Sequence, residues 1–416
     1  MNTKKRIHSL LGRIKHASFE VRYWDGERVN YGIGSPEFRV ILKNKLAVDR
    51  IFANPRMRLP EAYTDGGIEI EGDLQQFLRL GFLLQTELPG LRAADKLALV
   101  MAALQPGNHL RRSRRNVVHH YDLGNSFFKL WLDRRMVYSC AYFRDPEDDI
   151  DKAQEQKLEY LCAKLRLSPG ERLLDIGCGW GALAIYAART RGSSVVGITL
   201  SKEQLREATG RVAELGVGDR VELRLQDYRE VSEEGGFDKI VSVGMFEHVG
   251  REHMLEYLGH AARLLKTGGI GVLQTIGRMT EGSVNPWVHK YIFPGLYLPS
   301  LAQLAHGMAK SGMNIIDVEN LRMHYAYTLD RWADAFELRI DQIRAMSGER
   351  FVRMWRMYLH SSAATFRYGY LNLWQITFTK GLVNDLPLTR EHLYTRYRFD
   401  GLGLPEKDIL SGSESV

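Results

Sequence analysis

A chain of 416 residues is too long for one ordinary domain and long enough for two, and its 44% hydrophobic content supports a sizeable core. No run of about eighteen or more apolar residues occurs, so no transmembrane helix is expected. The formal charge of +7 favours an anionic partner, nucleic acid or acidic lipid, without choosing between them. Cys140, Cys162 and Cys178 are scattered without metal-ligand spacing, which predicts free thiols in a cytosolic protein.

In chain order, Ile7, Leu10, Leu11 and Ile14 fall at helical spacing behind Lys4, Lys5 and Arg6. That pattern fits either a basic amphipathic helix lying on an anionic surface or an N-terminal helix that frays. Phe19, Val21 and Tyr23 alternate, Asp25-Gly26 supplies a turn, and Val29, Tyr31 and Ile33 alternate back, which predicts a hairpin. Thr64-Asp65-Gly66-Gly67 leads into Ile68 and Ile70, and helical patterns follow over 74–84 and 91–104. Residues 1–105 therefore read as a small α+β domain. Gln105-Pro106-Gly107-Asn108 breaks the pattern and opens a basic linker over 106–116. From Arg111 to Arg135 there are seven Lys/Arg against two acids, either a lipid-facing patch or a solvated face.

The second domain, 117–405, changes pattern from about residue 150. A helix near 152–166 precedes strand 171–176, helix 180–191, strand 194–198 and helix 201–215. Strands near 220–224, 237–243 and 270–276 continue the series, with a helix over 251–265. Alternation of this kind predicts a doubly wound, Rossmann-like α/β sheet. Residues 406–416 read as a flexible tail.

Between the first strand and its helix lies Gly177-Cys178-Gly179-Trp180-Gly181. Such glycine loops bring backbone close to a ligand, in dinucleotide enzymes and S-adenosylmethionine enzymes alike. The spacing is Gly-x-Gly-x-Gly, not the pyrophosphate cradle, and the next strand ends Val196-Gly197-Ile198-Thr199-Leu200-Ser201 with no ribose-binding acid. Asp175, beside the loop, suits a cationic ligand bearing an amino acid, and Gln226-Asp227 is placed to meet an adenine edge. A turn needed only for strand–helix packing is the alternative.

Several segments together resemble the cyclopropane-fatty-acyl-phospholipid synthases and mycolic acid cyclopropane synthases. They are His120-Tyr121-Asp122-Leu123-Gly124-Asn125, Met136 to Phe143, Leu174 to Gly181, Gly197 to Ser201 with Gln204, and Val243-Gly244-Met245-Phe246-Glu247-His248-Val249. Lys290 to Gly295, Tyr325 ahead of Thr328-Leu329, and Leu373-Trp374-Gln375 complete the set, in family order over about 116–380.

The resemblance implies a class I methyltransferase domain and S-adenosylmethionine as cofactor. The cofactor would be held by Tyr138, Ser139, Leu173, Leu174, Asp175, Ile176, Gly177, Cys178, Gly179, Trp180, Gly181, Thr199, Leu200, Ser201, Gln204, Gln226, Asp227 and Val243. It further implies a bicarbonate ion within a shell of Cys140, Glu247, the Ile276 backbone and Tyr325. Two positions depart from the family pattern. Gln274 stands where His is usual and cannot carry a titrating proton, and Ser362 stands where many members have a cysteine. By the same resemblance the enzyme would act on a cis double bond of a phospholipid acyl chain and leave a cyclopropane. It would be a homodimer, cytoplasmic and peripheral on the inner membrane face, with anionic lipid as its surface.

That chemistry asks for particular surroundings. An isolated alkene is a weak nucleophile, so it must be held in line with the sulfonium methyl in a dry site. Positive charge then develops on the chain and needs negative or π-rich neighbours. Phe351, Trp355, Tyr358 and Phe366, followed by Tyr370, Trp374 and Phe378, would line a greasy tunnel or simply pack a helix core. His119, His120, His248 and His253 show no metal-binding pattern, so no metal is expected. The same transfer ending in a methylene or methyl-branched chain is the nearest alternative. Nucleic-acid methylation would need an acceptor-reading domain or an Asn/Asp-Pro-Pro-aromatic loop, and neither is present, so no nucleic-acid partner is expected. A lipid-binding module without chemistry would not need Asp175, Glu247 and Tyr325 intact.

Overall fold

A computed structural model describes residues 3–87 and 124–394. The expected helix over 91–104, the 106–116 linker and the 406–416 tail lie outside the described residues. The chain divides into two units, one ending at Val383 and one beginning at Asn384. The second contributes a 3-10 turn, Glu391–Leu393.

Strands β1 (Phe19–Arg22) and β2 (Arg28–Tyr31) form the expected hairpin, in register from Phe19↔Tyr31 to Arg22↔Arg28. The alternation does not reach Ile33, which is 92% exposed where the chain turns away at Gly32–Gly34. β3 (Phe38–Leu42) pairs parallel with β1 and antiparallel with β4 (Ile68–Gly72), giving the order β2-β1-β3-β4. Helix Thr3–Leu11 packs on this domain: Ile7 and Ile14 are buried and the Arg6 guanidinium lies 4.4 Å from the Phe52 ring centroid. Part of its apolar face is thus spent internally, while Lys5 and Arg6 stay exposed.

The larger sheet has the order β10-β11-β9-β8-β5-β6-β7. β5 (Arg172–Ile176), β6 (Ser194–Thr199), β7 (Val221–Leu225), β8 (Phe237–Val243) and β9 (Leu265–Gly277) are parallel. Their apolar runs are explained by burial on both faces. Leu173, Val195 and Val272 face helices Ile150–Lys164 and Ala182–Arg191, while their neighbours Leu174, Val196 and Leu273 face Met254–Leu264 and Leu301–Lys310. The sheet is not wholly parallel. β10 (Met313–Asn320) and β11 (Asn372–Lys380) add two antiparallel strands beyond β9.

The aromatic stripe divides accordingly. Phe351 to Phe366 lie on the helix Ile340–Tyr368, kinked at Gly348, but Trp374 and Phe378 belong to β11. This helix also joins the two halves of the chain. Arg353 Nε donates to Tyr63 O (2.6 Å), its Nη2 donates to Ile68 O (2.9 Å), and the Tyr63 ring centroid lies 4.5 Å from the guanidinium. One apolar cluster runs from Phe19 and Phe38 through Phe127 and Trp131 to Trp332 and Phe366.

Candidate active site

The carboxyl ends of β5, β6 and β8 open into a pocket, the usual ligand position in an open α/β sheet. Gly177, Gly179 and Gly181 all have positive φ (+86, +56 and +78°). At Gly177 a side chain is also excluded by contact, because a Cβ would come within 2.8 Å of Met245. The loop is tied down by Gly177 N and Cys178 N, which both donate to Ile198 O at 3.0 Å.

Of the cofactor residues inferred above, Tyr138, Ser139, Asp175 to Trp180, Thr199, Leu200, Gln204, Gln226, Asp227 and Val243 line this pocket. Leu173 and Leu174 do not, since both are wholly buried inside the sheet. Gly181 caps the following helix and Ser201 caps helix Lys202–Glu214, with Ser201 Oγ accepting from Gln204 N. Asp227 faces the pocket with its carboxylate already committed: Arg229 donates to both oxygens at 2.8 and 2.9 Å. Gln226 beside it has a buried Oε1 without a hydrogen-bond partner among the described residues.

Asp175 is 3% exposed, and its Oδ2 has no hydrogen-bond partner among the described residues. Burial pushes this carboxyl up to about 7, while Lys157 pulls it down. Lys157 and His248 also line the pocket, and sequence reasoning missed both. Burial drives His248 down to about 4, so it is neutral at pH 7. For Lys157 a signal was available: a lysine four residues from Ala153 and from Leu161 shares their buried helix face.

The second set of inferred residues gathers beside the pocket. Val243 pairs with Gln274 in the β8–β9 register, and Gly244 N donates to Gln274 O (2.9 Å). Cys140, Ile276 and Tyr325 share one small apolar cluster with Leu321 and Leu373. Glu247, on the 3-10 turn Phe246–His248, is 2% exposed and its Oε1 accepts from Ile276 N at 2.7 Å. The Ile276 amide is thereby used by Glu247. Burial raises the Glu247 carboxyl to about 7 against the pull of the Ile276 amide and the Thr275 hydroxyl, and Oε2 has no hydrogen-bond partner of good geometry among the described residues. Gln274 Oε1 accepts from Gln375 Nε2 (2.8 Å), leaving Gln274 Nε2 buried and unpartnered. Cys140 is fully buried, its thiol donates to Ala141 O (3.1 Å), and burial pushes it far up, so it is no nucleophile. Tyr325 stacks on Phe366, ring centroids 4.6 Å apart.

A glycine cradle at a strand end, an unpaired buried carboxylate oxygen and open space above Gly179 fit a cationic amino-acid-bearing nucleoside. Fold and site together define a class I S-adenosylmethionine-dependent methyltransferase. The comparisons carry this further. Residues 108–376 match the family model described as mycolic acid cyclopropane synthetase, and residues 6–87 match a domain of unknown function, DUF7884. The chain is 39% identical over 361 residues to the cyclopropane-fatty-acyl-phospholipid synthase of Escherichia coli, covering 86% of this chain and 92% of that one. It is 38% identical over 289 residues to the tuberculostearic acid methyltransferase UfaA1 of Mycobacterium tuberculosis, covering 66% and 67%. The solved mycolic acid cyclopropane synthase CmaA1 in complex with SAH and CTAB superposes with a TM-score of 0.61 at 34% identity, covering 64% of this chain and 98% of that one. The chain belongs to the mycolic acid cyclopropane synthetase family.

Proposed function

We propose that this enzyme transfers the methyl carbon of S-adenosylmethionine to the cis double bond of a phospholipid acyl chain and closes a cyclopropane. The observation that carries the reading is the buried carboxyl of Glu247, whose Oε1 accepts from Ile276 of the apolar cluster while Oε2 has no hydrogen-bond partner of good geometry among the described residues. The name of the Escherichia coli relative supports the phospholipid substrate.

S-adenosylmethionine supplies an electrophilic methyl carbon on a cationic sulfur. The chain's own residues align, dry and neutralise. Tyr138 lines the pocket with Phe128, Trp131 and Trp332 packed behind it, ring centroids 5.2–5.4 Å away, and its ring is able to stabilise positive charge on the acyl chain. Leu321, Leu373 and Ile276 around Cys140 keep water out. Near pH 7 the Glu247 carboxyl shares its time between ionised and neutral forms, and when neutral its proton sits on Oε2. Oε2–H and Gln274 Nε2 are then two buried donors without partners among the described residues, the chemistry a small anion would take up. Bicarbonate is the anion we assign there, and when bound it supplies a base beside the reacting carbons.

A second ending has its own observation. Gln274 cannot titrate, so the last proton is free to leave from another carbon and give an exocyclic methylene or a methyl-branched chain that keeps a double bond. We place the enzyme on the inner membrane face, held by Arg111, Arg112, Arg114 and Arg115. Among the described residues no helix is long and apolar enough to cross a membrane.

The test is direct. Purified protein, methyl-labelled S-adenosylmethionine and vesicles of cis-unsaturated phospholipid should yield lipid heavier by one methylene. Proton spectra then distinguish a ring from an exocyclic methylene of equal mass. No label in any acyl chain refutes the reading.

A further inference from the structure

Helix Ile150–Lys164 sends one charged side chain into the cofactor pocket. Lys157 is 3% exposed, and its ammonium donates to a neutral hydroxyl, Ser139 Oγ, at 3.1 Å. Among the described residues no carboxylate lies within ion-pair distance of it. Two acids face it through space. Asp133 on the loop before Ser139 spends its oxygens on the amides of Arg135 (2.9 Å) and Val137 (2.7 Å), and Asp175 sits at the end of β5. The Cys140 thiol is the third group near it.

An ammonium with three protons and one neutral partner is costly in a dry site. Burial pushes Lys157 down to about 8, even though Asp133 and Asp175 draw it back up. The other cation lining the pocket, Arg229, is already paired to Asp227. The pocket thus presents an under-partnered cation at Lys157 and an unpartnered carboxylate oxygen at Asp175. A zwitterion complements both at once.

We propose that Lys157, together with Ser139 Oγ, receives the carboxylate of the cofactor's amino-acid group, leaving Asp175 for its ammonium. This rests on the S-adenosylmethionine reading of the pocket. The alternative role, a fixed counter-charge to Asp133 and Asp175, predicts a different pattern of ligand affinities.

Calorimetric titration of the full chain with two ligands separates the roles. S-adenosylhomocysteine carries the amino acid, whereas 5′-methylthioadenosine keeps the nucleoside and sulfur without it. Lys157→Met should weaken S-adenosylhomocysteine about 10- to 100-fold, the range of a lost charge-assisted hydrogen bond, and leave 5′-methylthioadenosine within about twofold. Lys157→Arg should restore part of the loss. Retained 5′-methylthioadenosine binding also shows that the variant has folded. Should Lys157→Met not fold, wild-type protein titrated with decarboxylated S-adenosylmethionine must show the same selective deficit against S-adenosylmethionine. Equal weakening of both ligands by Lys157→Met, or no weakening of either, overturns the proposal. Wild-type protein that binds neither ligand overturns the cofactor reading beneath it.

Discussion

Replacing Glu247 by Gln should exchange catalysis for stability, and the exchange should depend on pH. The carboxyl is 2% exposed and sits at about 7 instead of its ordinary 4.5, chiefly through burial. Between those two values the folded protein keeps a proton that the unfolded chain releases, so stability falls as pH rises through the window. Below 4.5 both states are protonated and nothing is lost; above 7 the loss levels off. At about 1.4 kcal/mol per pH unit, the wild-type group costs about 2.5 kcal/mol more at pH 8 than at pH 5. Gln lacks this proton, accepts from Ile276 N in the same way, and places an unpartnered amide where an unpartnered oxygen stood. Its stability advantage over wild type should therefore grow by about 2.5 kcal/mol between pH 5 and 8, or about 3 °C in Tm for a chain of this size. Melting curves across that range measure the difference. Turnover should fall at least about 100-fold with S-adenosylhomocysteine affinity nearly unchanged, because the amide still donates but can neither ionise nor exchange a proton with the anion, and the cofactor pocket is intact. Parallel stability–pH profiles for the two proteins would refute the buried-carboxyl argument. Loss of cofactor binding would move Glu247 out of the anion shell.

Two other perturbations bear on the same site, and a third on the basic cluster of the linker. Asp175→Asn should weaken S-adenosylhomocysteine about tenfold or more. Because burial raises this carboxyl to about 7, wild-type affinity should rise between pH 6 and 8 as it ionises, while the Asn variant shows no such step in titration calorimetry. Gln274→His should raise activity at low bicarbonate, read from initial rates across a bicarbonate titration; an unchanged curve counts against a bound ion. Replacing Arg111, Arg112, Arg114 and Arg115 by Ser should weaken binding to anionic vesicles by about 1 kcal/mol per charge near the surface, and the deficit should shrink as salt is added. Equal vesicle affinity in a flotation assay would make that cluster a solvated face.

Local requirements were legible without coordinates. Alternating apolar residues marked β1 and β2, a short apolar run ahead of a helix marked β5, and the Gly177-x-Gly179-x-Gly181 spacing marked the ligand loop, because left-handed backbone at successive alternate positions is a demand that glycine meets locally. The commitment of Asp227 to Arg229, two residues away, was equally local and was overlooked.

Long-range pairing was a different matter. Ile276 N reaches Glu247 across 29 residues, Lys157 reaches Ser139 across 18, and Gln375 reaches Gln274 across 101. Each contact depends on strand order and register, which periodicity does not encode. The antiparallel edge strands escaped for the same reason, since Trp374 and Phe378 extend an aromatic run that also suits a helix. By itself the sequence determined the cofactor loop and the family chemistry, since both are written in contiguous residues. Only the tertiary structure decided which buried charges are left without partners, because a charge is unpaired by virtue of everything that packs around it.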